Sequence, residues 1–294
     1  ADRNDLFSKN SAKKTLFRSS RRLPQTPNLS PSLSLSPSLS LSPSPSLSLS
    51  PSLSLSPSHI PSIMLTFTTK DRIGYVKLLS RSLAWLNISN YASVYIFDDG
   101  SKQFSVDDLG SWFPYANVLK SDHRHPDMSI RHSFEYFLDK TNHDILVTID
   151  SDTLLHPDWW KFVLEQMQKH DGLLSLYHSK APYHKTIDCN NITCIKKTQG
   201  SMGMVINRET LKKTLKSVNV AKNRAGAFDW GMVHYFEKEN IRLIVPKQSL
   251  ALHYGMYGAH GSGNHVERAN SFDFKAFPDD IVKRVNEFLT NKSP

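Results

Sequence analysis

The chain has 294 residues, 39% of them hydrophobic and 21% charged, with a formal net charge of +9 and two cysteines. That content suits one large or two small domains; two cysteines alone do not make a structural zinc site, and no apolar run is long enough to cross a bilayer. Residues 1–26 hold seven Lys or Arg against two Asp, so +5 of the +9 lies in a tail. The sequence pI of 9.4 is therefore weak evidence for a nucleic-acid partner, and none is expected.

Residues 1–26 read as a basic disordered tail. From Pro27 to Ser58 the chain repeats Ser-Pro-Ser-Leu-Ser-Leu without charge, aromatic side chain or glycine. Such a segment cannot bury enough apolar surface to offset the entropy of ordering, so 27–60 is expected to be a disordered, partly polyproline-like linker. Each Leu in it has Ser or Pro beside it, and the N-terminus has no hydrophobic core of a signal peptide. A soluble, cytoplasmic protein is the expectation, although the chain starts at Ala1 and an upstream segment stays open. Residues 61–294 carry the remaining charge as one globular domain.

Within that domain Ile63–Thr69 reads as a strand, followed by a helix with Val76, Leu79, Leu83 and Leu86 at near-helical spacing. A second strand, Val94–Phe97, ends at Asp98-Asp99-Gly100-Ser101, a carboxylate pair with a turn glycine. A short helix around Val106–Phe113 and a strand at Ala116–Leu119 come next. Ser129 is expected to cap a helix carrying Ile130, Phe134, Phe137 and Leu138. The run Ile145–Ile149 follows, apolar apart from Thr148, as a strand buried on both faces. It stops at Asp150-Ser151-Asp152, and Pro157-Asp158-Trp159-Trp160 opens the next helix.

The second half is less regular. Leu173–Tyr177, Ser201–Asn207, Ile241–Val245 and Leu250–His253 read as extended, Arg208–Ser217 and Phe228–Glu239 as helices. An amphipathic helix from Ile281 to Leu289 is expected on the outside of the sheet. Cys189 and Cys194 either close a small disulfide loop in an oxidising compartment or remain thiols in a reducing one. The segments 178–200 and 255–275 are expected to be irregular and to hold the acceptor contacts.

Alternating strands and helices imply right-handed crossovers and a mostly parallel, helix-covered α/β sheet that binds ligands beyond the carboxyl ends of its strands. Thr68–Asp71, Asp98-Asp99 and Asp150–Asp152 all fall at such ends. Ionised carboxylates are costly in a core, so Asp150 and Asp152 belong at the strand exit. Side chains alternate along an extended chain, so both point the same way and can hold one hard divalent cation with room left for phosphate oxygens. The first strand is followed by neither Gly-x-Gly-x-x-Gly nor Gly-Lys-Ser/Thr, which argues against a dinucleotide dehydrogenase and a P-loop phosphotransferase.

The order Thr68-Thr69-Lys70-Asp71-Arg72, then Asp98-Asp99-Gly100-Ser101, Asp150-Ser151-Asp152, Asp229-Trp230 and a late His253 resembles the GT-A glycosyltransferases of the family 2 type, over nearly all of 61–294. The resemblance implies a GT-A fold and a nucleotide-sugar donor, UDP-linked, held near Thr68, Asp71, Arg72, Asp150 and Ser151. Asp98 or Asp99 would accept a hydrogen bond from the base; the plain alternative is that the pair only makes the turn. Arg131 matches an arginine that faces the diphosphate, and Gly203 a segment beneath the donor sugar. Asp150, Asp152 and His253 would coordinate Mn²⁺ or Mg²⁺, with His260 and His265 as weaker ligands. Asp229 matches the general base of inverting transfer, with Phe228 where a first acid is usual. Residues 255–263 would form a lid.

The expected function is transfer of a sugar from that donor to a hydroxyl on a glycan or glycoconjugate, with inversion, retention remaining open. One rival is a nucleotidyltransferase, which usually needs a glycine- and Lys/Arg-rich loop after the first strand that Ile63–Gly74 lacks. The other is a non-catalytic glycan- or nucleotide-binding module.

Overall fold

Successive residues of the first strand, β1 (Ile63–Thr69), go to opposite sides of one sheet: Ile63, Leu65 and Phe67 join one buried cluster and Met64 joins another. The computed structural model in which this is seen describes residues 60–121, 126–170, 172–198, 200–218, 227–255 and 269–290, apart from the side chains of Pro126, Ala227 and Asp229. The basic tail, the linker, most of the expected lid, His260 and His265 lie outside these residues.

Strands β2 (Ser93–Asp98), β3 (Ala116–Lys120) and β4 (Ile145–Asp150) run parallel to β1 in the order β3-β2-β1-β4. The sheet continues through β9 (Met204–Asn207), β6 (Leu173–Ser175), β10 (Leu243–Pro246), β8 (Thr193–Lys196) and β7 (Thr186–Cys189). β9 is antiparallel to both β4 and β6, and β8 is antiparallel to β10. The expected mostly parallel sheet is thus parallel in its first half and mixed in its second. A separate pair joins β5 (Thr153–Leu155) to β11 (Ala251–His253), antiparallel.

Helices cover both faces. α1 (Ile73–Trp85), α2 (Val106–Trp112) and α4 (Trp159–Met167) contribute Val76, Leu79, Leu109, Trp159 and Val163 to one cluster. α3 (Pro126–Lys140), α5 (Arg208–Ser217) and α6 (Ala227–Lys238) contribute Phe134, Phe137, Leu211, Phe228 and Met232 to the other. Each large apolar side chain so buried contributes roughly 1.5–3 kcal/mol. Burial of Ile145–Ile149 from both faces explains its unbroken apolar run.

Three expectations need correction. α3 starts at Pro126, so Ser129 is not its cap: proline has a preset φ and no N–H to satisfy at a helix start, and Asp127 favours the first turn. The last helix, α7 (Asp279–Thr290), packs Ile281 and Val285 on Tyr75 and Leu78 of α1 and on the β5–β11 pair, not on the main sheet. The segment 178–200 is not wholly irregular: it holds the β7–β8 hairpin, closed by a Cys189–Cys194 disulfide. β7 is only four residues long and all of them are exposed, so no buried face marks that strand.

Candidate active site

Register sets the site. Thr68 lies opposite Asp150 and Thr69 opposite Asp98, so the ends of β1, β2 and β4 share one rim. Beyond β4 the backbone N–H of Asp150 donates to Thr153 Oγ1 at 3.1 Å, closing a turn over Ser151 and Asp152. β5 begins at once and pairs with β11, with Thr153 opposite His253. That pairing brings His253 Nε2 to 3.0 Å from Asp152 Oδ1 and 3.8 Å from Asp150 Oδ2. The Asp150, Asp152 and His253 ligand atoms lie within 4.8 Å of one another.

Asp152 is buried and holds Arg72 as well as His253, the Arg72 Nη2 donating to its Oδ2. Burial alone pushes the Asp152 carboxyl up, but the His253 imidazole and the Arg72 guanidinium outweigh it and hold the group well below the usual carboxylate range. Burial pushes His253 down, and Asp152 reverses this, raising the imidazole to about 9. At neutral pH the cluster therefore carries two carboxylates and two cations, its own counter-ions. Behind it Tyr254 is fully buried and donates its N–H to the Asp152 carbonyl at 3.0 Å.

Arg72 reaches Asp152 from a strained turn. Asp71 and Arg72 both adopt left-handed backbone, with φ of 56° and 65°, a conformation that costs of order 1–3 kcal/mol per non-glycine residue. Neighbouring bonds hold it: the Asp71 N–H donates to Ser101 Oγ at 2.8 Å, and Asp71 Oδ1 accepts from the N–H groups of Lys102 and Gln103 at 2.6 and 3.0 Å. The Arg72 guanidinium lies 4.4 Å over the Tyr75 ring.

The other expected residues divide. Thr68, beside Asp150, lines a narrow cleft with Ser133 and Ser201. Ser151 is buried in the turn. Asp71 is occupied with the loop after β2. Asp98 and Asp99 are buried at the end of β2; Asp98 accepts from Ser101 N–H at 3.1 Å, and Asp99 lies 3.8 Å from Lys70 Nζ. Asp98 thus helps to close the turn, with Asp99 beside Lys70 on the same rim. Arg131 is engaged along its own helix with Glu135 Oε1 at 2.7 Å. Gly203 has φ of 69°, and a Cβ there would stand 3.0 Å from Tyr177 N, so its place is set by the chain crossing beneath it. The Ser201 carbonyl accepts from Thr148 Oγ1 at 2.9 Å, which fastens this segment to β4. Asp229 is in the first turn of α6, and its neighbour Trp230 is 44% exposed.

Sequence reasoning missed two features. One is β5, hidden because Thr153-Leu154-Leu155 is too short to stand out between the acidic turn and the next helix. The other is Gly255: a Cβ there would run into Asp152 Oδ2 and the Arg72 guanidinium. Only glycine lets the chain pass over this ion pair.

The donor set fits a divalent cation. Asp152 Oδ1 is buried and accepts no well-directed hydrogen bond, despite the nearby His253 ring. Two carboxylates and one imidazole facing a common point suit Mn²⁺ better than a purely oxygen-seeking ion.

The sequence matches no protein-family model and no curated protein. Among solved structures it is similar to S. aureus TarS 1–349 in complex with UDP-GlcNAc, at 14% identity and a TM-score of 0.52, over 70% of this chain and 62% of that one. S. aureus TarS 1–349 alone matches at 12% identity and a TM-score of 0.48, over 63% and 57%. The chain spans about three fifths of the length of these structures. The first likeness is one of fold, and the fold is GT-A.

Proposed function

We propose that the protein is a glycosyltransferase that moves a sugar from a nucleoside diphosphate donor, UDP-linked, to a hydroxyl of a glycan or glycoconjugate, with inversion. The observation that carries this reading is the Asp150–Asp152–His253 cluster, with Arg72 against it, at the carboxyl rim of a GT-A sheet. The binding of UDP-GlcNAc by TarS, a protein of similar fold, supports the choice of nucleotide.

Mn²⁺ or Mg²⁺ held by Asp150, Asp152 and His253 would supply Lewis-acid stabilisation of the charge that develops on the departing diphosphate. The residues of the chain do the rest. Arg72 exchanges Asp152 for diphosphate oxygens, which its planar fork matches in pairs. Arg131 does the same from α3 when it leaves Glu135. Thr68 and Ser151 border the diphosphate, Asp99 or Asp98 accepts the uracil imide N–H, and Gly203 lies beneath the sugar.

Asp229 accepts the proton of the acceptor hydroxyl as that oxygen bonds to the anomeric carbon. The bond from that carbon to the diphosphate oxygen breaks on the opposite face, and its electron pair leaves with the nucleotide. Trp230, exposed beside Asp229, offers a ring face to the acceptor sugar. The Cys189–Cys194 disulfide supports an oxidising compartment in place of the expected cytoplasm.

The test is UDP release from a panel of UDP-sugars with Mn²⁺, with chelator as control. Chelator-sensitive release with one donor supports the reading; no release from any donor, with UDP still bound, makes the protein a binding module instead.

A further inference from the structure

A second concavity opens on the same rim. β6 runs in the same sense as β4, because β9 is antiparallel to both. Residues 176–184 therefore leave the sheet on the side where Asp150 stands, and so does Lys247, since β10 is parallel to β6. Between these segments and the β7–β8 hairpin lies a cavity of about 450 Å³, a size that admits one or two sugar rings.

Its lining is one-signed. Lys180, Lys185, Lys196 and Lys247 face it together with His178 and His184, and no carboxylate lines it among the described residues. Lys196 is 3% exposed, and its Nζ donates to the Ser179 carbonyl at 2.5 Å. His178 is fixed by its Nδ1 against the Pro246 and Lys247 carbonyls at 3.0 and 3.1 Å. Lys180, Lys185 and Lys247 are exposed, and no ion pair joins any of them to a carboxylate among the described residues. Gathered cations of this kind raise the local concentration of anions.

Two exposed aromatic rings flank His184, which lines the cavity. His184 lies 4.5 Å from the Tyr183 ring and 6.3 Å, nearly parallel, from that of Trp230. Tyr183 is 54% and Trp230 44% exposed, and each ring offers an apolar face beside a polar tip. Tyr183, edge-on, and Trp230, near-parallel, thus stand beside His184 at the border of the lysine-lined cavity.

We propose that this cavity is an acceptor subsite for an anionic saccharide: Tyr183 and Trp230 carry the sugar rings, and Lys180, Lys185, Lys196 and Lys247 receive oxyanions on a residue next to the one glycosylated. The inference rests on the glycosyltransferase reading and adds the charge class of the acceptor.

The test is calorimetric binding of three hexasaccharides to the full chain saturated with UDP and Mn²⁺. Chitohexaose is neutral, a hyaluronan fragment carries carboxylates, and a chondroitin sulfate fragment adds sulfate. At least one anionic probe should bind tenfold or more tighter than the neutral one, and the arm that does so identifies the oxyanion. A triple variant, Lys180→Glu, Lys185→Glu and Lys247→Glu, should lose that preference at unchanged UDP affinity, and Tyr183→Ala should weaken all saccharides alike. Equal affinities for neutral and anionic probes, no binding of any anionic probe, or an unaltered preference in the triple variant overturns the proposal. Failure of UDP binding itself is a separate readout and counts against the glycosyltransferase reading.

Discussion

Replacing Asp152 with Asn leaves the Arg72 guanidinium in a mostly buried site without its carboxylate. Arginine cannot shed its proton, whereas His253, raised to about 9 chiefly by Asp152, returns toward neutrality and gives up its share of the strain. Arg72 then keeps only the Asp150 carboxylate, without a direct ion pair, as counter-charge, and removing the direct partner of a buried pair costs about 3–5 kcal/mol. For a domain of this size each kcal/mol is worth roughly 2–4 °C, so the melting temperature of chelator-treated protein should fall by about 6–20 °C. Scanning calorimetry on the wild type, Asp152→Asn and Asp152→Asn/Arg72→Met measures this. The double variant should recover a large part of the loss, because taking away the orphaned cation removes its penalty. A drop below about 3 °C, or a double variant no more stable than the single one, would refute the buried-pair energetics.

Other outcomes follow from the same geometry. His253 has a folded-state pKa raised from 6.5 to about 9, so its stabilising contribution is complete below pH 6.5 and is lost as pH climbs to about 9. Melting temperatures of metal-free protein should decline across that window in the wild type and stay flatter in His253→Gln; Mn²⁺ affinity should rise across it instead, because the ligand must lose its proton. Gly255→Ala places a Cβ on Asp152 Oδ2, and a site displaced by about 1 Å should lose roughly 100-fold in turnover. Asp71→Ala removes the acceptor that holds the left-handed turn under Arg72 and should weaken UDP binding, while Asp71→Asn, which keeps an acceptor for Lys102 and Gln103, should do so far less. Asp229→Asn should lower turnover by about 10²–10⁴ with UDP affinity retained, and a wild-type rate would remove it as the base.

The first half of the domain was legible because its signals are local. An apolar run ending in Asp150 and helical spacing at Val76, Leu79 and Leu83 each state one element without reference to the others. Their common rim then followed from the rule for parallel sheets. His253 was legible only through the resemblance, because its partner Asp152 is far away in sequence and the link is a three-residue pairing of β5 with β11. The Arg72–Asp152 pair was hidden for a different reason. The resemblance puts Arg72 at the nucleotide, and only the left-handed backbone at Asp71 and Arg72 turns its side chain onto Asp152. The lysine-lined cavity draws on β7, β8 and the segments that follow β6 and β10, so no single stretch of sequence carries it.

The most direct measurement is a titration of Mn²⁺ followed by electron paramagnetic resonance, with UDP present. One bound ion per chain is expected, with a nitrogen coupling that disappears in His253→Gln and binding that is abolished in Asp152→Asn. Tight Mn²⁺ binding that persists unchanged in Asp152→Asn, or no UDP-dependent binding in the wild type, would contradict a nucleotide-sugar site at Asp150, Asp152 and His253.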